Sequence, residues 1–290
     1  MAVLGTAARM WLRLLPGLIL AASFAVAAPA ADEGWQAVNA EHIAVLQVGA
    51  RNVVIELNPA FAPATVKQFK RLARAGFYDG QSFYRVIDGF VAQGGDGSDM
   101  GTANSEPTIA AEFERDWNDT VNFVHAQAPD LFAPEAGFVD GFAAAGDRQS
   151  GKIWLVHCPG AVAMARLDAV DSGSTDFYVV IGQAPRYLDR NLSVFGRVVV
   201  GLDVIQRLPR GSREANGIIE DPTDDSIIDS VKMLSDLPVS ERFSLLRVDT
   251  NSADFSAMLD ARRNRQAEFF VNKPPAVIDV CQVPLAGRIE

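Results

Sequence analysis

Short apolar runs separated by Gly, Pro, Asp and Asn dominate the chain between residues 42 and 233. Residues 42–57 contain two β-rich runs around a turn at residues 49–52, which is the pattern of a β-hairpin. Many strands with few helices between them predict a barrel or a sandwich rather than a βαβ fold. The further strand-like runs lie at residues 82–93, 161–166, 176–181, 194–200 and 226–233.

Two segments between these runs carry a helical pattern. In residues 62–80 the apolar positions recur on one face, Pro63 suits an early helical position, and Gly76 is the predicted stop. Residues 201–208 predict a second, shorter amphipathic helix that ends before Pro209.

Residues 97–158 differ from the rest, because they are rich in Ala, Asp, Phe, Gly and Pro and lack a steady period. We therefore expect an irregular insertion over about residues 118–156, and such long sections are usually functional or mobile. After Pro238 the pattern becomes helical again, which predicts a helical C-terminal extension over residues 237–290.

The first residues have the composition of a secretory signal peptide. Arg9 and Arg13 precede an apolar run at residues 14–27, and small residues suitable for cleavage follow at 25–30. The alternative is an uncleaved membrane anchor, but the run is short for a spanning helix and is broken by Pro-Gly. We therefore expect residues 1–30 to be removed, leaving an exported, periplasmic protein without stable membrane insertion.

The remaining chain has the composition of a globular, acidic protein. At 49% hydrophobic residues it can bury a substantial core, and its formal net charge is −10, or −12 once the two signal arginines are subtracted. This acidity excludes the electrostatic pattern of a nucleic-acid-binding protein, and no basic amphipathic segment suits a membrane surface. We expect a monomer.

Two cysteines, Cys158 and Cys281, are the full complement. In an exported protein a lone pair is most simply one disulfide, which here would tie the C-terminal tail to the middle of the chain. Two separate buried thiols are the alternative that the sequence leaves open.

Several classes of site are absent from the sequence. The three histidines are far apart, no HExxH motif occurs, and His157 with Cys158 is too small a set for zinc. The Gly95-x-Gly97 pattern does not open a helix in a βαβ unit, and no GxSxG elbow is present. We expect neither a metal nor a cofactor.

One run of residues carries a specific resemblance. FYRVIDGFVAQGGD, residues 83–96, resembles the signature of the cyclophilin family of peptidyl-prolyl cis-trans isomerases. The resemblance implies a mainly β fold, a closed antiparallel barrel capped by two helices, in a domain that we place at residues 38–236. Further matches follow the family's order and span roughly residues 42–233: GFYDG (76–80), AVAMAR (161–166), SGSTDFYVVIG (172–182) and YLDRNLSVFGRVVVGLDVI (187–205).

The same resemblance implies roles for individual residues. Arg85 matches the family's catalytic arginine, whose fixed charge and fork of donors would face the prolyl nitrogen and the preceding carbonyl. Gln93 matches the amide that holds the substrate carbonyl. The other matching positions are Phe90, Val91 and Tyr178 in the pocket walls, and Ala165 and Arg166 in the strand that pairs with the substrate backbone.

Four positions depart from better-known members of the family, and three of them, Asp176, Tyr187 and Leu192, are expected substrate-binding residues. Tyr187 stands where many have the tryptophan linked to cyclosporin binding, which predicts weak cyclosporin binding, and Leu192 replaces a common pocket histidine. Asp176 stands where the family usually has glutamine, and Tyr84 where a histidine often precedes the arginine. We hypothesise that Asp176 interacts directly with Arg85, either orienting the guanidinium or neutralising its charge.

The resemblance implies a prolyl isomerase that assists the folding of exported proteins by non-covalent stabilisation of the twisted X-Pro amide. Its partners would be proline-containing segments of those proteins. A catalytically weak prolyl-binding or chaperone module using the same groove is the alternative, which Asp176 and the insertion keep open.

Overall fold

Short β-strands dominate the structure, a computed structural model that describes residues 33–97 and 106–290. The predicted signal segment lies outside the described residues. The strands are β1 (Trp35–Ala37), β2 (Ile43–Val48), β3 (Arg51–Leu57), β4 (Ser82–Val86), β5 (Val91–Gly95), β6 (Arg115–Asp116), β7 (Phe123–Gln127), β8 (Glu135–Val139), β9 (Phe142–Asp147), β10 (Lys152–Leu155), β11 (Ala161–Met164), β12 (Phe177–Val180), β13 (Val194–Val200), β14 (Ile228–Met233), β15 (Leu245–Val248) and β16 (Gly287–Ile289). The α-helices are α1 (Pro63–Arg74), α2 (Leu202–Gln206) and α3 (Ala253–Arg263).

Eight antiparallel strands form a nearly closed barrel in the order β14-β2-β3-β13-β11-β12-β5-β4. The predicted hairpin is confirmed as β2 and β3, which pair directly along their length. The two edge strands meet through a bridge between Ser82 and Ile227 and a 2.8 Å hydrogen bond from the Gly80 N–H to the Ile228 carbonyl. The expected barrel is therefore confirmed, with its last seam closed over a short stretch only.

The barrel interior is a continuous apolar core on which α1 and α2 pack. From α1, Phe69 places its ring centroid 5.2 Å from that of Tyr78, 5.6 Å from Phe177 and 5.2 Å from Phe195. As predicted, α1 begins at Pro63, and Gly76 follows its end with a φ of +69°, which glycine adopts without strain. Both predicted helices are confirmed.

The strand-like run at residues 82–93 is in fact two strands, β4 and β5, separated by a turn. The Ile87 N–H donates to the Val91 carbonyl over 2.9 Å, and Gly89 in the turn has a φ of +68°. The Asp-Gly dipeptide at 88–89 is a turn signal that the surrounding apolar residues obscure. Gly94 lies inside β5, and Gly95 ends it.

The insertion, expected to be irregular, forms together with β6 just before it a five-stranded antiparallel sheet in the order β6-β10-β9-β8-β7. Its two faces are both buried: residues alternate between a cluster shared with the barrel's outer surface and a cluster shared with the C-terminal extension. In β10, for example, Ile153 and Leu155 face the barrel while Trp154 faces the extension. A strand buried on both faces shows no alternation of apolar and polar residues, so no period-2 signal is visible in the sequence.

Small residues allow this sheet to pack closely. A Cβ on Gly137 would lie 2.1 Å from the Val124 carbonyl oxygen, and one on Gly146 would lie 2.3 Å from the Trp117 ring. The glycine content that resembles loop composition is therefore a packing requirement of the sheet.

The C-terminal extension contains the predicted helix, α3, and also strands that the sequence pattern does not predict. Strands β1, β15 and β16 form a separate three-stranded sheet, so the extension is not only helical. The side chain of Ser252 caps α3 by accepting the Phe255 N–H over 3.1 Å. The expected disulfide is present, since Cys158 and Cys281 are bonded with an S–S distance of 2.01 Å.

In residues 33–97 and 106–290, no helix is both long and apolar enough to cross a membrane.

Candidate active site

Residues on four neighbouring strands form a row across the outer face of the barrel. Arg85 on β4 pairs with Gln93 on β5, Gln93 pairs with Tyr178 on β12, and Tyr178 pairs with Ala163 on β11. Directly opposed residues in adjacent strands project from the same face of a sheet. Their chain neighbours, such as Ala92, point into the barrel core. Strand pairing therefore places the arginine and the amide of one motif beside an aromatic ring from a distant part of the chain.

The Arg85 guanidinium is held from two sides. Its Nη1 donates to Gln93 Oε1 over 2.9 Å, and its Nε donates to the backbone carbonyl of Asn216 over 3.0 Å. Within the described residues Nη2 makes no hydrogen bond, and Arg85 is only half-buried. The side chain is thus oriented while part of its donor capacity stays available.

A β-bulge at this point lets one amide contact two consecutive residues. The β4–β5 register shifts between Ser82 and Arg85. As a result Gln93 accepts from Arg85 and also donates through Nε2 to the Tyr84 hydroxyl over 2.7 Å. Bulges re-aim side chains in this way, and they are frequent near active sites.

Asp176 is connected to this row through Tyr84. The Tyr84 hydroxyl donates to Asp176 Oδ2 over 3.1 Å, and the Gly97 N–H donates to Oδ1 over 3.2 Å. Among the described residues no hydrogen bond or ion pair joins Asp176 to Arg85. The hypothesis of a direct contact is therefore wrong: Gln93 and Tyr84 lie between the two groups.

Gly95 explains why the carboxylate lies where it does. Phe177 pairs with Gly94, so Asp176 falls opposite Gly95, where no side chain occupies the space. A Cβ on Gly95 would lie 1.9 Å from Asp176 Oδ1, and Gly95 has a φ of +139°. The fully buried Asp176 side chain thus fills the volume that this glycine leaves open.

The predicted pocket-wall residues gather in one apolar cluster. Val91 is 2% exposed and Tyr178 is 5% exposed, and the partly buried Phe90 and Leu192 pack against the same cluster. The insertion sheet contributes to it as well, through Val139, Phe142, Ala144, Ile153 and Leu155. The insertion therefore packs against the same cluster as the predicted pocket walls.

The Tyr178 hydroxyl is engaged inside the protein. It lies 2.8 Å from Nε2 of the fully buried His157, whose Nδ1 lies 2.9 Å from Asp189 Oδ1. Because a carboxylate oxygen only accepts, Nδ1 carries a proton, and in the neutral ring Nε2 accepts from Tyr178. Burial, followed by the nearby Asp189 charge, raises the pKa of Tyr178 well above its usual range. Tyr178 thus presents its ring to the cluster and remains neutral.

The predicted backbone-pairing residues lie beside the row. The Ala165 N–H donates to the Asp176 carbonyl over 2.9 Å, so Ala165 and Asp176 are neighbours. Arg166 turns its guanidinium to backbone carbonyls, with Nε donating to Asn191 over 3.0 Å and Nη1 to Leu167 over 2.8 Å.

Tyr187 is placed differently from the other predicted site residues. It is 67% exposed and lines a cavity of about 690 Å³ together with Phe113, Phe132 and Trp154. Tyr187 therefore lies where its own loop, which also contains Leu192, borders the insertion.

Four residues in this region are not predicted as site residues by the sequence. Tyr84 stands out only as a departure from the family pattern, and Asn216, with a φ of +53°, contributes only its carbonyl. His157 draws attention only as half of a metal pair, and Asp189 carries no motif of its own. Among the described residues no group of three or more His, Cys, Asp or Glu side chains is arranged to hold a metal ion.

Comparison with known proteins agrees with this geometry. Residues 43–233 match the family described as cyclophilin type peptidyl-prolyl cis-trans isomerase/CLD. A probable peptidyl-prolyl cis-trans isomerase of Brucella suis is 29% identical over 216 residues, covering 70% of this chain and 90% of that protein. Peptidyl-prolyl cis-trans isomerase B of Bacillus subtilis is 31% identical over 159 residues, covering 55% of this chain and 84% of that protein.

One solved structure resembles most of the chain. The cyclophilin AquaCyp293 from Hirschia baltica superposes with a TM-score of 0.72 at 29% identity, covering 88% of this chain and 93% of that one. The likeness therefore includes residues outside the family match. Because the family match covers residues 43–233 and the barrel superposes on a solved cyclophilin, the chain belongs to the cyclophilin-type peptidyl-prolyl cis-trans isomerases.

Proposed function

We propose that the row formed by Arg85, Gln93 and Tyr178 is the place where this isomerase acts on X-Pro bonds. The observation that carries the proposal is the state of Arg85, which Gln93 and Asn216 hold in place while Nη2 makes no hydrogen bond with the described residues. A donor that is oriented before the reaction needs little reorganisation when charge develops on the substrate.

The chemistry needs no covalent step. Amide resonance keeps the X-Pro bond planar with a barrier of about 18–20 kcal/mol. When the bond twists, resonance is lost and the prolyl nitrogen gains a lone pair. A guanidinium that binds this twisted amide more strongly than the planar one lowers the barrier, because only such differential binding accelerates the step.

The other predicted residues have supporting roles in this proposal. Gln93 would hold the Arg85 guanidinium and bind the substrate carbonyl. The apolar cluster would hold the proline ring, through Phe90, Val91, Tyr178 and Leu192. Ala165 and Arg166 would pair with the substrate backbone, Asp176 would position Tyr84, and Tyr187 would contact substrate at the rim.

A protease-coupled assay on an X-Pro peptide tests the assignment of Arg85. We expect Arg85→Ala to lower kcat/KM by roughly 100- to 1,000-fold, as removal of an electrostatic donor does elsewhere. Arg207→Ala is the matched control, since Arg207 forms an exposed ion pair with Asp203 at the short helix α2. Wild-type activity in Arg85→Ala would show that the reaction occurs elsewhere.

The same assay separates catalysis from simple binding. If wild type and Arg85→Ala both give the uncatalysed rate while the peptide still binds, the groove is a prolyl-binding module. The separation of Asp176 from Arg85 favours catalysis, because the carboxylate does not neutralise the guanidinium by direct contact.

We further propose that the protein is exported to the periplasm and assists the folding of exported proteins. The Cys158–Cys281 disulfide supports this location, because disulfides persist in oxidising compartments. In this proposal residues 1–30 are the cleaved signal, residues 38–236 the isomerase domain and residues 237–290 an extension. Cell fractionation with N-terminal sequencing of the mature protein tests it: a cytosolic protein that keeps its first 30 residues would contradict export.

A further inference from the structure

A chain of buried polar contacts runs from the insertion to two parts of the proposed groove. Beyond the Tyr178–His157–Asp189 contacts, Asp189 Oδ2 accepts from Arg186 Nε over 2.5 Å. Arg186 Nη2 in turn donates to Asp130 Oδ1 over 2.8 Å. Asp130 lies in the insertion between β7 and β8, and His157 lies just after β10. The contacts thus connect Tyr178 on barrel strand β12 with Asp130 in the insertion.

These groups are shielded from water. The side chain of His157 is fully buried, and those of Asp130, Arg186 and Asp189 are all less than one-tenth exposed. A buried polar group that loses its partner is costly, so a fully paired network strongly restricts the orientation of each member. The network therefore has a defined geometry rather than a set of interchangeable contacts.

Its members adjoin both sides of the proposed proline pocket. His157 holds the hydroxyl of Tyr178, which is one wall. His157 also contacts the loop between Tyr187 and Leu192, through Asp189 in that loop. The His157 backbone N–H and the ring Nδ1 each lie 2.9 Å from Asp189 Oδ1. A single imidazole therefore contacts both the wall and the loop.

We propose that His157 is a positioning residue for the prolyl pocket. It does not touch the substrate; it holds the Tyr178 ring and the Leu192 loop at the separation that a proline ring needs. The inference rests on the site assignment made under Proposed function. Because the walls contact the ring in the planar and the twisted state alike, loosening them weakens both, which raises KM and leaves kcat nearly unchanged.

Two substitutions at His157 separate positioning from folding. In His157→Asn the amide can still reach Asp189 but not Tyr178, and we expect KM for an X-Pro peptide to rise about three- to tenfold with kcat within about twofold. In His157→Gln an amide group reaches the position of Nε2, and we expect most of the affinity to return. His125→Asn is the control, since His125 is an exposed histidine on strand β7 of the insertion sheet, facing Glu135.

Tyr178→Phe tests the positioning role of His157 if His157→Asn fails to fold. It keeps the ring and removes only the hydroxyl, and we expect KM to rise as in His157→Asn, with no further rise in the double variant. An unchanged KM in Tyr178→Phe, or equal losses of kcat and kcat/KM, would overturn the positioning role.

Arg85→Ala in the same assay keeps this result distinct from a failure of the site assignment. If Arg85→Ala is inactive and the His157 and Tyr178 variants match wild type, only the positioning role is contradicted. If Arg85→Ala is fully active, the assignment of the active site itself is contradicted.

Discussion

Tyr84 separates Asp176, the acidic residue beside the groove, from the side chain that holds Arg85. Its hydroxyl accepts from Gln93 and donates to Asp176, so a neutral group stands between the carboxylate and the amide that holds Arg85. A hydrogen bond to a charged acceptor is stronger than one between neutral groups, which fixes the orientation of the Tyr84 ring. Asp176 thus orients Tyr84, which contacts the amide that holds Arg85, and it does not neutralise the guanidinium by direct contact.

This arrangement predicts the effect of Asp176→Asn, which keeps the shape and removes the charge. We expect kcat/KM to fall about three- to tenfold, since only part of the ~1.5–3 kcal/mol of a charged hydrogen bond is transmitted through Tyr84. Asp203→Asn, at an exposed ion pair, is the control. A rise in kcat/KM, measured in the protease-coupled assay, would instead mean that the carboxylate suppresses Arg85.

Gly95 offers a second test at the same scale. Gly95→Ala forces a side chain into a φ of +139° and against Asp176, so we expect the free energy of unfolding to fall by more than about 3 kcal/mol. Gly80→Ala is the matched control, because Gly80 has a φ of +83° and a Cβ added there would meet nothing within 4 Å. Chemical denaturation measures both, and equal losses would show that Asp176 does not occupy a space that depends on glycine.

At the scale of elements, α1 forms ion pairs with two segments that are distant from each other in sequence, one before β2 and one after β14. Glu41, in the 3-10 helix before β2, accepts from Lys70 over 2.7 Å and from Arg74 over 3.2 Å. Arg74 also donates to Asp236 over 2.7 Å, in the 3-10 helix after β14. These contacts connect the start and the end of the barrel domain through one helix.

Glu41 therefore makes stability depend on pH. Hydrogen bonds from Lys70, then Ser235 and Arg74, lower the pKa of Glu41 from 4.5 to about 2. A lowered folded-state pKa stabilises the protein above pH 4.5, and this contribution is lost as the pH falls towards 2. We expect Glu41→Gln to lower the free energy of unfolding by less than about 1 kcal/mol at pH 7, because the carboxylate is half exposed.

Urea denaturation of wild type and Glu41→Gln at about pH 7 and about pH 2.5 measures this difference. The gap between the two proteins should narrow at the lower pH. A gap that is the same at both values would mean that the Glu41 charge contributes nothing. Glu220→Gln is a suitable surface control, since Glu220 is an exposed carboxylate in the loop before β14.

The elements also show what the sequence could and could not predict. The hairpin at residues 42–57 was predictable because a turn at residues 49–52 separates two β-rich runs, and helix α1 because its buried positions recur on one face. The insertion sheet was not, because Ala143, Ala144 and Ala145 are buried on alternating faces and no polar face marks the strands. In the site, Arg85 and Gln93 follow from a contiguous motif, whereas Tyr178, His157 and Asp189 are brought together only by tertiary packing.

At the scale of the whole molecule, a buried charge cluster ties the barrel to the C-terminal extension. Glu56 on β3 pairs with Arg197 on β13 at 2.9 Å and with Arg247 on β15 at 2.5 Å. Arg197 also donates to the Leu285 carbonyl over 2.7 Å. Burial lowers the pKa of Arg197, and the Glu56 charge opposes this change. The extension is thus joined to the barrel by electrostatics as well as by apolar packing.

Removing the acid from this cluster should be costly. In Glu56→Gln two arginines lose their counter-charge in a buried place, and we expect the free energy of unfolding to fall by about 3–5 kcal/mol. Asp203→Asn again serves as the exposed control, where a change below about 1 kcal/mol is expected. Thermal and chemical unfolding of the purified proteins measure the loss, and a loss no larger than the control's would show that the cluster is not needed for stability.

The disulfide has a consequence for the order in which the molecule matures. Every barrel strand, ending with β14 at Met233, is synthesised before Cys281. The covalent link therefore closes after the barrel sequence is complete, so a newly made chain passes through a reduced stage. Oxidation is accordingly a late step of assembly: an oxidised molecule is one whose tail has already reached the end of the insertion.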